Sequence, residues 1–217
     1  CFIICNDGFK FTPHNLLYLT ILTLLCIFSG TRKSLLAIAI IFIIFLVLRR
    51  PEKLLKNIVI ISIVLISIYI ALMYIPFIYD MIGNRFETMF SMLMGESGDE
   101  SAESRAGFIE LGMMHFKNSV WLGNGINCFH TIEGAYGTYS HNNYVELLFS
   151  VGIVGTVAYY SMFLLALHKA RKQYFKNRKS DVILCIAMLV ALLIIDVALV
   201  SYYERTSLVL IIVCYAL

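Results

Sequence analysis

Charge is scarce in this chain. Asp, Glu, Lys and Arg make up 14% of its 217 residues, against about 25% in a typical soluble domain, while 60% of the residues are hydrophobic. The mean hydropathy of +0.83 agrees. A packed aqueous core does not need so much apolar side chain, so the expected solvent is a bilayer. Other absences narrow the class further. The six cysteines show no CxxC and no Cys/His spacing, which excludes a zinc module, and they are scattered among apolar runs rather than arranged as a disulfide framework. There is no repeat of a solenoid period. The start lacks the pattern of a signal peptide. A first residue that is Cys1 and a last run, LVLIIVCYAL, that is still apolar read as a piece of a larger protein.

What is present is a series of apolar runs. A spanning helix needs about 20 apolar residues. The runs at 15–29, 34–48, 57–78, 143–167 and 182–200, with an incomplete one from Ser207, predict five to six spans. The first two are short and need tilt or local thinning. None is amphipathic. The expected fold is all-α: a polytopic transmembrane helix bundle, with helices 1–3 in residues 1–78, an extracytoplasmic loop with short helices in 79–142, and helices 4–6 in 143–217.

Lys and Arg set the orientation. Arg49, Arg50, Lys53 and Lys56 lie between spans two and three; Lys169, Arg171, Lys172, Lys176, Arg178 and Lys179 lie between spans four and five. Both short basic loops should face the cytoplasm, and they are two spans apart, so the assignments agree. The long segment from Tyr79 to Asn142 then lies outside. It holds the acidic, flexible GESGDESAES, then RAGFIELGMMHF, which predicts a helix against the membrane, then WLGNGINCFH and EGAYGTYS, which read as turns. Loops of this length are commonly functional or disordered.

Several charges need a reason. Arg32-Lys33, in SGTRKS, opposes the positive-inside bias; it reads as a solvated turn with snorkelling side chains or as an anion site offering a guanidinium fork and an ammonium point charge. Asp196 sits near the outer end of span five, where a carboxylate is expensive. The expectation is an ion pair with Arg205, and proton coupling is the rival. The SYYER stretch places Tyr202, Tyr203 and Arg205 at the outer interface.

The segment SHNNYVELLFSVGIVG carries the most information. Asn142 has the side chain of a helix N-cap, and Glu146 in the first turns complements the helix dipole. Gly152 and Gly155, one turn apart, predict close approach of another helix. His141 has no such architectural explanation. This segment resembles the signature of O-antigen ligases and of O-antigen or capsule polymerases. SRAGFIELGMMHFKNSVWLGNGINCF resembles the loop before that signature, and SGTRKSLLAI resembles the family's Ser-Arg element at an outer helix end. The likeness runs over most of Ser29 to Phe163, with departures: Val120-Trp121 stands where a proline is usual before the Leu-Gly turn, and Thr31-Arg32-Lys33 where Ser-Arg-Gly is common.

The resemblance implies a multispanning glycosyltransferase at the outer face of the bacterial cytoplasmic membrane. It would use sugar chains carried on undecaprenyl pyrophosphate and transfer them onto the next lipid-linked repeat unit (a polymerase), with ligation to a lipid or protein acceptor as the alternative. A transporter of lipid-linked sugars is a third reading, disfavoured because the ionisable groups gather at the outer face. In the enzyme, His141 is the expected general base for the acceptor hydroxyl, since imidazole titrates at about 6.5; Glu110, Glu133 and Glu146 are alternatives. Arg105 is the second catalytic candidate. Arg32, Lys33 and Arg205 are expected at the pyrophosphate, where preorganised cations stabilise the leaving group. Asn142, Glu146 and Tyr203 are supporting residues. No metal or cofactor is expected: there is no DxD motif, and the spacing of His115, His130 and His141 gives a metal cluster little support. The expected partners are the lipid-linked oligosaccharide, membrane lipid and a chain-length regulator protein, with no nucleic acid. Gly123 and Gly125 are read as shaping a turn.

Overall fold

The computed structural model describes residues 32–49 and 100–216, with isolated positions between 17 and 74. Five α-helices run through these two stretches: α1 (Arg32–Arg49), α2 (Glu100–Phe116), α3 (Asn143–Asn177), α4 (Ser180–Ile195) and α5 (Arg205–Ala216), with one 3-10 turn at Phe129–Thr131. No strand occurs among the described residues. The isolated positions, among them Leu17, Lys56 and Ile63, are helical, so the expected spans at 15–29 and 57–78 lie largely outside the described residues.

α1 and α4 are nearly unbroken apolar sequence and pack side by side. Phe45 of α1 is buried with Ala170, Tyr174 and Val182–Leu184, and the Tyr174 hydroxyl donates to the carbonyl of Leu48 at 2.8 Å. The C-terminal end of α1 therefore meets the beginning of α4, and the two helices run antiparallel. From Phe45 back to Arg32, and from Ile183 on to Asp196, is about 20 Å of helix in each case. Arg32 and Lys33, in the first turn of α1, thus belong to the same end of the bundle as Asp196.

Only α3 is long and apolar enough to cross a membrane among the described residues; α4, α5 and Leu36–Arg49 are shorter apolar helices. Of the five to six expected spans, one is met at full length among the described residues, and those at 15–29 and 57–78 lie largely outside them. α3 also differs from the predicted span at 143–167. At its far end it continues to Asn177, because the basic residues that end the apolar run are good helix formers. Arg178 closes it in the left-handed conformation, its N–H donating to the Tyr174 carbonyl.

More consequential is a break at Gly152, which has φ 64° and ψ −167°. In an unbroken helix Asn143 and Tyr160 would be about 25 Å apart. Here the Asn143 side-chain amide donates to the Tyr160 hydroxyl at 3.0 Å, and the rings of Tyr144 and Tyr160 stack at 5.0 Å. The chain folds back at Gly152. A short arm, 143–151, lies against a long arm, 153–177: Leu147 is buried with Tyr159, Phe163, Cys185 and Leu189.

The short arm also forms the floor of a platform. α2 crosses it at Gly112, where a Cβ would meet Val145 at 2.5 Å. Phe129, Ala135 and Phe149 form a small core with Phe108, Leu111 and Ile132 around it. The segment RAGFIELGMMHF is helical as predicted, within a helix that begins earlier, at Glu100.

Candidate functional site

The Gly152 break leaves backbone groups without helical partners, and the loop before α3 supplies them. Asn124 and Gly125 N–H donate to the carbonyls of Phe149 and Ser150 at 2.8 and 3.0 Å; Ile153 and Val154 N–H donate to the carbonyls of Val120 and Trp121 at 2.9 and 3.3 Å. The two strips of backbone are so close that a Cβ on Gly152 would lie 2.4 Å from the Trp121 carbonyl group, and one on Gly123 would lie 2.4 Å from Ser150. Gly123 and Gly125 have positive φ (74° and 119°), so they do shape a turn as expected. The role expected for Gly152 is corrected: it admits a loop, not another helix. A Cβ on Gly155 would collide with Val151 of the same folded helix.

His141 stands at the start of the short arm. The local sequence Ser140-His141-Asn142 is locked from both sides. Asn142 caps the helix as predicted, its Oδ1 accepting from Tyr144 and Val145 N–H at 3.0 and 3.2 Å. Glu146 is buried, and its Oε2 accepts from Ser140 N–H at 2.8 Å. The Ser140 hydroxyl donates to the Asn142 carbonyl at 2.9 Å and accepts from Asn142 N–H at 3.3 Å. Between these anchors His141 is held at φ 57°, a left-handed conformation that histidine adopts more readily than most residues. Its ring is half-buried beside Tyr139 (centroids 4.3 Å) and faces Phe108 of α2 (6.0 Å, planes 28° apart).

Phe108 connects His141 with Arg105. The two α2 residues are three apart and share a helix face, so α2 brings Arg105 to the rim one turn from the ring that His141 faces; Arg105 is exposed. Glu110 and Glu133 are also exposed.

A second group of polar side chains sits just behind, where α4 ends. Asn143 is fully buried. Its Nδ2 donates to Asp196 Oδ2 at 3.0 Å as well as to Tyr160, and its Oδ1 accepts from Ser201 and Tyr202 N–H at 2.8 and 3.0 Å. Asn143 N–H donates to the Asp196 carbonyl at 2.8 Å. The Asp196 carboxylate further accepts from the hydroxyls of Ser201 (2.5 Å) and Tyr160 (3.0 Å). The expected ion pair of Asp196 with Arg205 is therefore replaced by hydroxyl and amide donors, and Arg205 is exposed at the first position of α5. This network fixes the SYYE turn to the start of α3. It sets Tyr203 in the surroundings of Glu146 and Tyr139: burial pushes the Tyr203 phenol up from its ordinary value, and the charges of Glu146 and Tyr139 add to the shift. Tyr202 also accepts from Asn127 N–H of the loop before α3 at 3.3 Å.

The structure thus gathers His141, Asn142, Glu146 and Tyr203 into one corner, sets Arg105 on its rim and Arg205 just past the turn docked against it, and puts Arg32 and Lys33 at the same end of the bundle. Sequence reasoning missed Asn143, Tyr160 and Ser201, which hold that corner, and Tyr139 and Phe108, which flank the imidazole. Their signal was slight but present: a second Asn at the head of an apolar run, and a carboxylate within a span that needed donors.

Among the described residues no three His, Cys, Asp or Glu side chains are placed to hold a metal ion. No curated protein and no solved structure matches the chain. A family model described as O-antigen ligase matches residues 17–160, well over half of the chain, and that stretch takes in α1, α2, the loop, His141 and both sides of the Gly152 fold. The chain therefore belongs to the O-antigen ligase family, membrane-associated enzymes of the glycosyltransferase kind that act in polysaccharide biosynthesis.

Proposed function

We propose that the chain is a polysaccharide polymerase of this family, multi-pass in the bacterial cytoplasmic membrane with its active face outside. It transfers an undecaprenyl-pyrophosphate-linked oligosaccharide onto the next lipid-linked repeat unit, without a metal and with inversion. The observation that carries this reading is the locked Ser140–Asn142 turn, which presents one imidazole to Phe108 of α2, one helical turn from Arg105, within the region that matches the family. His141 removes the proton from the acceptor sugar hydroxyl. The hydroxyl oxygen attacks the anomeric carbon from the face opposite the pyrophosphate, the anomeric C–O bond breaks, and its electron pair leaves on the phosphate oxygen. Arg105 and Arg205, with Arg32 and Lys33 from α1, stabilise the charge that develops there. Asn142 and Glu146 hold the histidine in place. Tyr203 forms part of the wall, and a chain-length regulator is the protein partner.

Glu146 suits a structural role better than that of base, since its Oε2 is engaged by Ser140 N–H in a buried position. Ligation to a lipid or protein acceptor is the second reading, favoured by the description of the matching family.

The test uses the full-length protein in its own strain. His141→Asn tolerates a positive φ and keeps the turn, whereas His141→Ala adds a backbone cost. Both variants should abolish product at normal membrane levels. Single lipid-linked repeat units accumulating outside the membrane identify a polymerase. Loss of all attachment to the acceptor together with a build-up of long lipid-linked chains identifies a ligase. Unchanged polymer in His141→Asn would refute the histidine base.

A further inference from the structure

The loop that fills the Gly152 break carries a pair of exposed apolar side chains. Trp121 is 68% exposed and Leu122 is 76% exposed. Neither is free to swing away with its backbone, because Val120 and Trp121 carbonyls accept from Ile153 and Val154 N–H. The pair is thus fixed beside the first turn of the long arm of α3. That arm continues with an exposed apolar face: Val154 and Val157, three apart, then Leu164 and Leu165 two turns further. Trp121 and Leu122 lie beside the start of this arm.

The backbone at the break has the form required at membrane depth. In hydrocarbon, non-helical backbone is tolerated only where protein satisfies its polar groups. Here two carbonyls and two N–H groups on the α3 side are each bonded to the loop. Tryptophan beside the end of an apolar helix face is also the side chain favoured at a membrane interface.

We propose that Val120–Leu122 is a lipid-facing wedge: Trp121 and Leu122 enter the leaflet on the His141 side and are continuous with the lipid-facing stripe of the long arm. Its partner is phospholipid, at the depth where headgroups meet acyl chains. The wedge sets the depth of the Gly152 fold, and hence that of His141, relative to the membrane surface. This inference rests on the reading of the chain as a membrane protein.

Trp121 is the one tryptophan of these 217 residues, and the difference between the parent and Trp121→Phe isolates its fluorescence. The protein is reconstituted in phosphatidylcholine–phosphatidylglycerol vesicles containing lipid brominated near the glycerol end or near the tail end of its acyl chains. Brominated lipid should remove the larger part of the Trp121 emission, more strongly with shallow bromines, and aqueous iodide should quench less. Quenching by iodide and not by lipid would overturn the wedge. Protection from both would also overturn it, by showing that protein covers the loop. Flotation of the same sample with vesicles after carbonate washing separates the two failures. A protein that floats with an iodide-accessible tryptophan sinks only the wedge; one that does not float sinks the membrane reading.

Discussion

At the end of the molecule where α3 finishes, cations lie on aromatic faces. Lys169 sits over the Tyr215 ring (4.8 Å) and its ammonium donates to the Tyr215 carbonyl near the end of α5; Arg171 lies over Phe175, Arg178 over Tyr174 and Arg49 over Phe45, at 5.6–5.9 Å. At the His141 end the polar groups Asn143, Glu146, Asp196 and Ser201 are buried and joined by directed hydrogen bonds, and Gly152, Gly123 and His141 occupy positive φ. One end uses long, adaptable side chains on broad surfaces, where a shift of an ångström loses little. The other uses short side chains and strained backbone, where each atom has one place. Preorganised chemistry needs the second kind of construction, and a charged anchor at an interface needs only the first.

Substitutions that ignore this difference should break it most. Gly152→Val should cost more than the roughly 1–3 kcal/mol of its backbone conformation alone, because the added carbons meet the Trp121 carbonyl group. Its thermal midpoint in detergent should fall further than that of Asp196→Ala, Asn142→Ala or Arg171→Ala, and a midpoint near the parent's would mean the loop does not occupy the break. Asp196→Ala leaves the Ser201, Tyr160 and Asn143 donors without their acceptor. A loss of about 3 kcal/mol or more is expected, with Asp196→Asn less severe. Asn142→Ala removes one cap and should cost about 1 kcal/mol, together with a reduced kcat as His141 loosens. The smallest effect belongs to Arg171→Ala, where an exposed cation–π contact contributes about 0.5–1 kcal/mol at most. If Arg171→Ala matched Asn142→Ala in midpoint and activity, the contrast between the two ends would not hold.

Much of the fold is legible in the sequence. The apolar runs locate α1, α4 and α5 to within a few residues, since an unbroken apolar helix needs no partner to be recognised. Asn142 is legible as a cap because capping is local chemistry, and Gly123 and Gly125 as a turn for the same reason. The fold at Gly152 is not. A Gly-x-x-Gly pair has the same spacing whether it admits a helix or a loop, and what decides is the position of Val120–Gly125, about thirty residues earlier in the chain. The partners of Asp196 are hidden likewise: a carboxylate within reach of Arg205 in sequence invites an ion pair, and only the fold-back that brings Asn143 and Tyr160 together reveals neutral donors. The extension of α3 to Asn177 escapes a hydropathy reading because hydropathy ends where charge begins, while helix propensity continues.

The exchange of backbone hydrogen bonds at Gly152 bears on how the chain is assembled. Ile153 and Val154 N–H find their acceptors on residues that precede them, and the carbonyls of Phe149 and Ser150 find their donors there too. Until residues 120–125 have settled against it, the long arm has no completed first turn. The platform and the beginning of this helix are therefore one cooperative unit: docking of the loop and seating of the helix are a single event, and His141, two residues ahead of the short arm, takes its place only when both are done.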